Sequence, residues 1–152
     1  YILKGSTLNI LQEYINKSDS PMPFYPGFHP YFRSTNKKIH YQTDAKSYLD
    51  YNDMKTHAVG EHIDITDKKE SIVLLDSVKR EIGFELTEPN KRVLMTYGDE
   101  FKYIYIWSEK GQDFVCVEPW IAKTDELNRK EELILISPGE SLKTFLTISV
   151  VS

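Results

Sequence analysis

The chain has 152 residues, of which 40% are hydrophobic and 28% are charged, as is typical of a soluble globular fold of one domain. Nineteen Lys and Arg residues against 23 Asp and Glu residues give a net charge of −4, which argues against sequence-independent nucleic-acid binding, because that requires an excess of basic residues. No apolar run approaches the roughly 20 residues of a membrane-spanning helix, and the single cysteine cannot form an internal disulfide. We therefore expect a protein of the reducing cytoplasm that binds neither nucleic acid nor membrane.

The first predicted element is a strand over residues 8–16, which ends at a turn rich in serine and proline. The prolines that follow predict that residues 21–30 lie outside regular structure, since proline interrupts helices and removes hydrogen-bond donors from strands. This segment and its continuation to residue 32 are rich in Phe and Tyr. Such a surface is unfavourable in water, so we expect the segment to pack against the rest of the protein.

From residue 37 onward the pattern is mainly that of strands. Hydrophobic and polar residues alternate over 82–86, 92–97 and 144–151, and residues 103–107 are apolar or aromatic throughout, which indicates a strand covered on both faces. The turn candidates between strands are Glu88-Pro89-Asn90, Gly98-Asp99, Lys110-Gly111-Gln112-Asp113 and Pro138-Gly139-Glu140. One short helical piece is predicted over residues 124–130. The pattern predicts a single all-β unit over residues 1–152, an antiparallel sandwich or barrel.

Two residues are candidates for acid–base chemistry. His29 lies on the proline-stiffened aromatic segment, where an imidazole has few rotamers and a partly dry environment. Glu118 stands at the end of an apolar strand, directly before Pro119 and Trp120, and sites are commonly built where strands end. Composition alone favours simpler roles, a histidine that locks its loop and an ion-paired edge glutamate. Trp120 could offer a flat face to a sugar or cap the core.

A metal site is a weaker candidate. His57 and His62 are five residues apart in a polar stretch, a spacing that does not match the i, i+4 pair of a helical zinc site. Asp53 or Asp64 could add a ligand. Exposed His and Asp residues in loops usually face water, so we expect no metal.

Three segments resemble, in order, the signatures of the aldose 1-epimerase family. Residues 23–32 read PFYPGFHPYF and are similar to its G-x-HPYF signature, residues 116–120 read CVEPW and are similar to its strand-end EPW signature, and residues 137–141 read SPGES and are similar to its closing PGE turn. HPYF alone is a weak signal, whereas three ordered motifs are specific. The resemblance implies a galactose mutarotase-like supersandwich, an antiparallel β-sandwich. The motifs match its C-terminal half, so we expect an incomplete C-terminal portion and an upstream half.

The resemblance also implies an activity, the interconversion of the α and β anomers of a hexose. By motif, Glu118 would be the general base that takes the proton from the C1 hydroxyl, and His29 the general acid that protonates the ring oxygen. The expected substrate-binding residues are Trp120, Tyr31 and Arg33. The expected partner is a monosaccharide, with no metal and no cofactor.

The family often uses an aspartate to bind sugar hydroxyls, and its place in this chain stays open. Asp64, Asp67 and Asp76 lie in the approximate region, and no surrounding motif chooses among them.

The substrate and the class of the protein also stay open. Arg33, Lys37 and Lys38 could bind a phosphate, which would make the chain a hexose-6-phosphate 1-epimerase, although solvated loop cations explain them more simply. The rival class is a non-catalytic carbohydrate-binding β-sandwich. Such a module would not need both His29 and Glu118.

Overall fold

The computed structural model describes residues 1–87 and 91–151, which contain sixteen strands and one short helix. The strands are β1 (Ile2–Lys4), β2 (Thr7–Ile15), β3 (Met22–Phe24), β4 (Tyr31–Arg33), β5 (Lys38–Ile39), β6 (Tyr41–Gln42), β7 (Ser47–Asp50), β8 (Lys55–Ala58), β9 (Ile63–Asp64), β10 (Ile72–Leu74), β11 (Glu81–Glu85), β12 (Arg92–Tyr97), β13 (Tyr103–Trp107), β14 (Phe114–Trp120), β15 (Ile134–Ile136) and β16 (Ser141–Val151). The helix, α1, spans Glu126–Arg129. Among the described residues, no helix has the length and apolar character needed to cross a membrane.

Two six-stranded antiparallel sheets make up most of the fold. Sheet I has the order β1-β2-β16-β12-β11-β6, and sheet II has the order β4-β14-β13-β10-β7-β8. Two short ladders, β15-β3 and β5-β9, complete the strand pairing within the described residues. The prediction of an all-β antiparallel fold is therefore confirmed.

The core contains the inward faces of both sheets, because strand residues alternate between faces. Sheet I contributes residues such as Phe84, Met95 and Leu146, and sheet II contributes residues such as Ile106 and Val117. A second buried cluster of Val73, Tyr103 and Tyr105 covers the opposite face of sheet II. Sheet II is thus covered on both faces near β13, as the unbroken apolar pattern of residues 103–107 predicts.

The proline-rich segment departs from its prediction. Residues 22–24 form strand β3, and Pro23 lies opposite Leu135 of β15. The expectation that all of residues 21–30 avoid regular structure was wrong, because a two-stranded ladder has outer edges at which a proline removes no needed donor. The aromatic residues pack as expected for Phe24 and Phe28, which are buried, whereas Tyr31 is exposed.

The PGE turn follows β15, which pairs with the start of the first motif, and it anchors the chain at Asn16. Gly139 adopts a φ of 77°, which favours glycine, and its amide donates to the Asn16 carbonyl over 2.9 Å. Asn16 is buried, and its Nδ2 donates to the carbonyls of Ser20 and Ile136 over 2.8 Å each. This third motif is therefore structural. The turn predicted at residues 88–90 lies outside the described residues.

Candidate active site

The HPYF and EPW segments lie side by side in a single register. Cys116 pairs with Tyr31 in the β14–β4 ladder, and an isolated bridge pairs Trp120 with Gly27. Counting two residues from either pair places His29 opposite Glu118. The Phe28 amide donates to the Pro119 carbonyl over 2.9 Å between these pairs. The i, i+2, i+4 spacing of each motif thus brings three residue pairs to one face of sheet II, since side chains alternate along a strand. Gly27 leaves room there for the side chain of its partner.

The Gly27–Trp120 pair explains the glycine of the first motif. A Cβ atom at Gly27 would lie 2.1 Å from Trp120 Cδ2, far inside van der Waals contact. The indole therefore packs directly on the glycine backbone. Any larger residue at position 27 would displace the indole.

The His29–Glu118 pair is a direct contact. His29 Nε2 lies 3.2 Å from Glu118 Oε1. The Glu118 side chain is 7% exposed, whereas the His29 side chain is 45% exposed. The Trp120 indole Nε1–H donates to the second carboxylate oxygen, Glu118 Oε2, over 3.0 Å. The hydrogen bond from Trp120 consequently fixes Glu118 Oε2, and Glu118 Oε1 faces the solvent-exposed imidazole of His29.

Burial raises the pKa of the Glu118 carboxyl above its ordinary value. The hydrogen bond from Trp120 and the charge of His29 act in the opposite direction, but burial dominates because it penalises the charged form. A carboxylate with a raised pKa is a stronger base than an exposed one. The setting therefore suits proton abstraction.

Aromatic rings hold the imidazole of His29. Tyr31 stacks on it with 5.0 Å between ring centroids and 15° between planes, and Trp107 presents an edge at 6.1 Å. Phe114 packs against both Tyr31 and Trp107. The Tyr31 and Trp107 rings contact the imidazole, and 45% of the His29 side chain stays exposed.

Tyr105 flanks Glu118 on the other side and was not predicted as part of the site. It lies opposite Glu118 in the β13–β14 ladder, and its ring meets Trp120 edge-on at 6.3 Å. Its hydroxyl accepts from the Thr124 amide over 2.9 Å and lies 3.2 Å from the Tyr51 hydroxyl. Tyr105 thus ties the loop after β14 to sheet II. The alternation in β13 indicated which face Tyr105 lies on. The sequence did not show that β13 pairs with β14, which places Tyr105 opposite Glu118.

Cys116 lies beside the pair, two residues before Glu118 on the same face of β14, and was likewise not predicted as a site residue. Its thiol is buried, and its ligand atom lies within 4.8 Å of one from His29 and one from Glu118. Burial, together with the neighbouring Glu118 carboxylate, raises the pKa of the thiol to about 12. The thiol is therefore neutral over the physiological range.

The cations of the first motif are not gathered around the pair. Arg33 is exposed on the β4 face that carries Tyr31, two residues farther from His29. The Lys37 ammonium donates to the carbonyls of Ser34 and Phe114. Lys38 is paired in the separate β5–β9 ladder. Arg33 alone of the three lies on the face of the site.

Two of the three candidate aspartates hold local structure. Asp76 accepts from the amides of Lys46 and Ser47, and Asp64 accepts from the amide and hydroxyl of Thr66. Asp67 forms an exposed ion pair with Lys110. The contacts of Asp64 stabilise its own turn and those of Asp76 stabilise the start of β7, whereas the exposed ion pair of Asp67 contributes little.

The two loop histidines do not come together. His57 Nε2 lies 2.9 Å from Asp53 Oδ2, whereas His62 faces the ring of His40 at 5.8 Å. Asp64 serves its own turn, as described above. The candidate metal site of His57 and His62 is therefore not formed, since the two histidines have different neighbours.

Comparison with known proteins defines the class of this fold, a galactose mutarotase-like β-sandwich. The Slr1438 protein of Synechocystis sp. PCC 6803 has a TM-score of 0.90 at 27% identity, over 98% of this chain and 52% of that one. A galactose mutarotase related enzyme from Lactobacillus acidophilus has a TM-score of 0.77 at 19% identity, over 99% and 59%. A galactose mutarotase-like protein from Lactobacillus casei has a TM-score of 0.75 at 17% identity, over 99% and 61%. At 19% and 17% identity, the similarity to the two Lactobacillus proteins shows only that the fold is shared.

The sequence model of the aldose 1-epimerase family matches residues 1–149, so the chain belongs to that family. The chain spans between half and two thirds of the length of the three structures named above. No curated protein sequence matches it significantly.

Proposed function

We propose that this chain carries the acid–base pair of an aldose 1-epimerase that interconverts the α and β anomers of a hexose. The observation that supports it most directly is the distance of 3.2 Å between His29 Nε2 and Glu118 Oε1. This contact joins a buried carboxylate to an exposed imidazole. Family membership supports the reaction class.

In the proposed reaction Glu118 takes the proton from the C1 hydroxyl while His29, as imidazolium, gives a proton to the ring oxygen. The C1–O5 bond breaks, and the sugar opens to the aldehyde. Rotation about the C1–C2 bond presents the other face of the carbonyl. Closure reverses both proton transfers, so the enzyme returns to its starting state and no cofactor is consumed.

The geometry suits this exchange because the two oxygens that gain and lose protons are both bonded to C1. An acid and a base must therefore lie next to each other, each within hydrogen-bond reach of one oxygen. His29 and Glu118 are adjacent across one antiparallel register. The C1 hydroxyl and the ring oxygen of the sugar would replace the direct contact between them.

Three further residues are proposed to contact the sugar. Trp120 and Tyr31 lie on the same face of sheet II as the pair, and each offers a ring face to the C–H groups of a pyranose. Arg33 would reach a more distant substituent from the end of β4. Trp120 also donates a hydrogen bond to the Glu118 carboxylate, so it would both contact the sugar and orient the base.

We place the activity in a protein that also supplies the remaining part of the family fold, because the chain spans only part of the structures it resembles. That part would complete the sugar cleft. A reducing cytoplasm suits the single buried thiol.

Polarimetry of freshly dissolved α-anomers tests the proposal. A panel of free hexoses and their 6-phosphates is added to the protein, and the relaxation rate is compared with that of buffer alone. We expect acceleration for at least one free hexose. Acceleration confined to 6-phosphates would identify a hexose-6-phosphate 1-epimerase, in which Arg33 is the first candidate for the phosphate. Binding of sugars without acceleration would identify a non-catalytic carbohydrate-binding module.

A further inference from the structure

His29, Cys116 and Glu118 bring three different ligand types to one point. One ring nitrogen, the thiol sulfur and one carboxylate oxygen all lie within 4.8 Å of one another. Cys116 and Glu118 are two residues apart on the same face of β14, and His29 lies across the register from Glu118. The geometry points to a binding site for a thiophilic divalent cation, Zn²⁺ in the first place, at the centre of the candidate active site.

The distances fit a tetrahedral ion. Zinc binds nitrogen and oxygen ligands at about 2.0–2.2 Å, so two such ligands of one tetrahedron are about 3.3 Å apart. His29 Nε2 and Glu118 Oε1 are 3.2 Å apart. These two atoms therefore already have the spacing of two ligands of one zinc ion, and the Cys116 sulfur lies within 4.8 Å of a ligand atom of each residue.

The surroundings leave these ligand atoms available. Trp120 engages Glu118 Oε2, which orients the carboxylate and leaves Oε1 toward His29, as outer hydrogen bonds orient metal ligands. Within residues 1–87 and 91–151, no hydrogen bond is formed by the sulfur of Cys116. His29 is 45% exposed, so an ion has a path from solvent.

The ligand set selects the class of ion. A thiolate, an imidazole and a carboxylate together favour Zn²⁺ or Co²⁺ over Mg²⁺ or Ca²⁺, which prefer oxygen ligands alone. On binding, Cys116 loses its proton to water, and the thiolate and carboxylate together balance the charge of the ion. Three protein ligands would leave one position of a tetrahedral ion for a water molecule.

A second cluster, Asp50, Asp53 and His57, has comparable spacing and is not a competing site. The Lys68 ammonium is paired with Asp50, and it would repel an incoming cation. The Lys37 ammonium acts electrostatically on the Cys116 thiol. It donates to the carbonyls of Ser34 and Phe114, however, and among the described residues it forms no ion pair with Glu118.

The consequence for activity rests on the proposed function. A bound ion would occupy the lone pairs of both His29 and Glu118, so neither could transfer a proton. Zinc would then inhibit epimerisation in competition with the sugar, and chelation would restore it.

Cobalt reports the site independently of activity, because a thiolate bound to Co²⁺ gives an ultraviolet charge-transfer band. The protein is titrated with CoCl₂ and then with ZnCl₂, as wild type and as Cys116→Ser. We expect the band in wild type, its loss on addition of zinc, and no band in Cys116→Ser. The zinc affinity of that variant should fall by at least about tenfold, since even outer-shell losses cost this much. If the serine hydroxyl destabilises the protein at this buried position, Cys116→Ala is used in the same titration, with the same expected result.

His57→Ala is the matched control, because it removes the histidine of the other cluster. It should keep the cobalt band and the zinc affinity of wild type. A wild type without the band, or a Cys116→Ser variant that binds zinc as tightly as wild type, would overturn the metal site. Zinc inhibition of wild-type mutarotation that chelation relieves, together with the cobalt band, would support both the site and the proposed function. A cobalt band in a protein without mutarotation would sink the proposed function and leave the metal site standing.

Discussion

Two histidine–carboxylate pairs in this molecule look alike at short range. His29 lies 3.2 Å from Glu118 and stacks on Tyr31, and His57 lies 2.9 Å from Asp53 and stacks on Tyr48. Their environments differ. The Glu118 side chain is 7% exposed, whereas that of Asp53 is 41% exposed.

Burial reverses the electrostatics of the two carboxyls. The pKa of Glu118 is raised, mainly by burial. The pKa of Asp53 is lowered, mainly by the hydrogen bond from the Lys55 amide, with a smaller contribution from His57. The first carboxylate is thus a stronger base than an ordinary one, and the second is a weaker one. The same pair of residue types is a candidate proton-transfer site in one place and a surface ion pair in the other.

The largest expected effect is that of Glu118→Gln. Glutamine keeps the shape and the hydrogen bond from Trp120 but cannot accept a proton at neutral pH. Mutarotation should slow by roughly 10²–10⁴-fold, the usual contribution of general acid–base catalysis, while sugar binding largely remains. Polarimetry and a sugar-binding titration measure the two quantities. The matched variant Asp53→Asn should leave the rate unchanged. A near-normal rate in Glu118→Gln would end the proposed mechanism.

His29→Asn should reduce the rate over a similar range, about 10²–10⁴-fold, with some loss of sugar binding. The double variant with Glu118→Gln should be much less than multiplicatively slower, because the two groups act in one exchange. His57→Asn is the matched control and should behave as wild type in the same polarimetric assay. Multiplicative losses in the double variant would show that the two groups act independently.

Gly27→Ala tests the contact that aligns the two motifs. The new methyl group would lie 2.1 Å from Trp120 Cδ2, so the indole must move. Overpacking of this kind typically lowers the free energy of unfolding by about 1–3 kcal/mol. Urea denaturation followed by tryptophan fluorescence measures the loss, and mutarotation should fall with it. Gly60→Ala is the control, since its nearest neighbour would be His62 O at 3.7 Å. Equal stability of the two variants would contradict the close packing.

Trp120→Phe should have the smallest effect, seen chiefly in the pH profile. Glu118 must be ionised to act as a base, so kcat/KM falls as the pH drops through its pKa. The indole hydrogen bond lowers that pKa, so its loss should raise it and move the acidic limb to higher pH. The rate at high pH should change less than the rate at low pH. An unmoved or downward-shifted limb would contradict this role of Trp120.

The strands were largely predictable because each reports its own burial pattern. Alternation in residues 92–97 and 144–151 predicts strands that the structure confirms as β12 and β16. The predicted helix shrinks to four residues in α1. Strand β3 was missed because local proline chemistry was given more weight than pairing with β15, which lies more than 100 residues away.

The sequence by itself determined the two motifs, the identity of His29 and Glu118 as candidates, and the aromatic surroundings of the histidine. Only the tertiary structure decided that residues 27–33 run along β14 in one register, with Gly27, His29 and Tyr31 opposite Trp120, Glu118 and Cys116. It also decided that Cys116 and Tyr105 lie next to the His29–Glu118 pair, and that His57 pairs with Asp53 instead. The physical reason is that a strand's own pattern fixes which residues share a face, whereas the register between strands depends on packing between residues far apart in the chain.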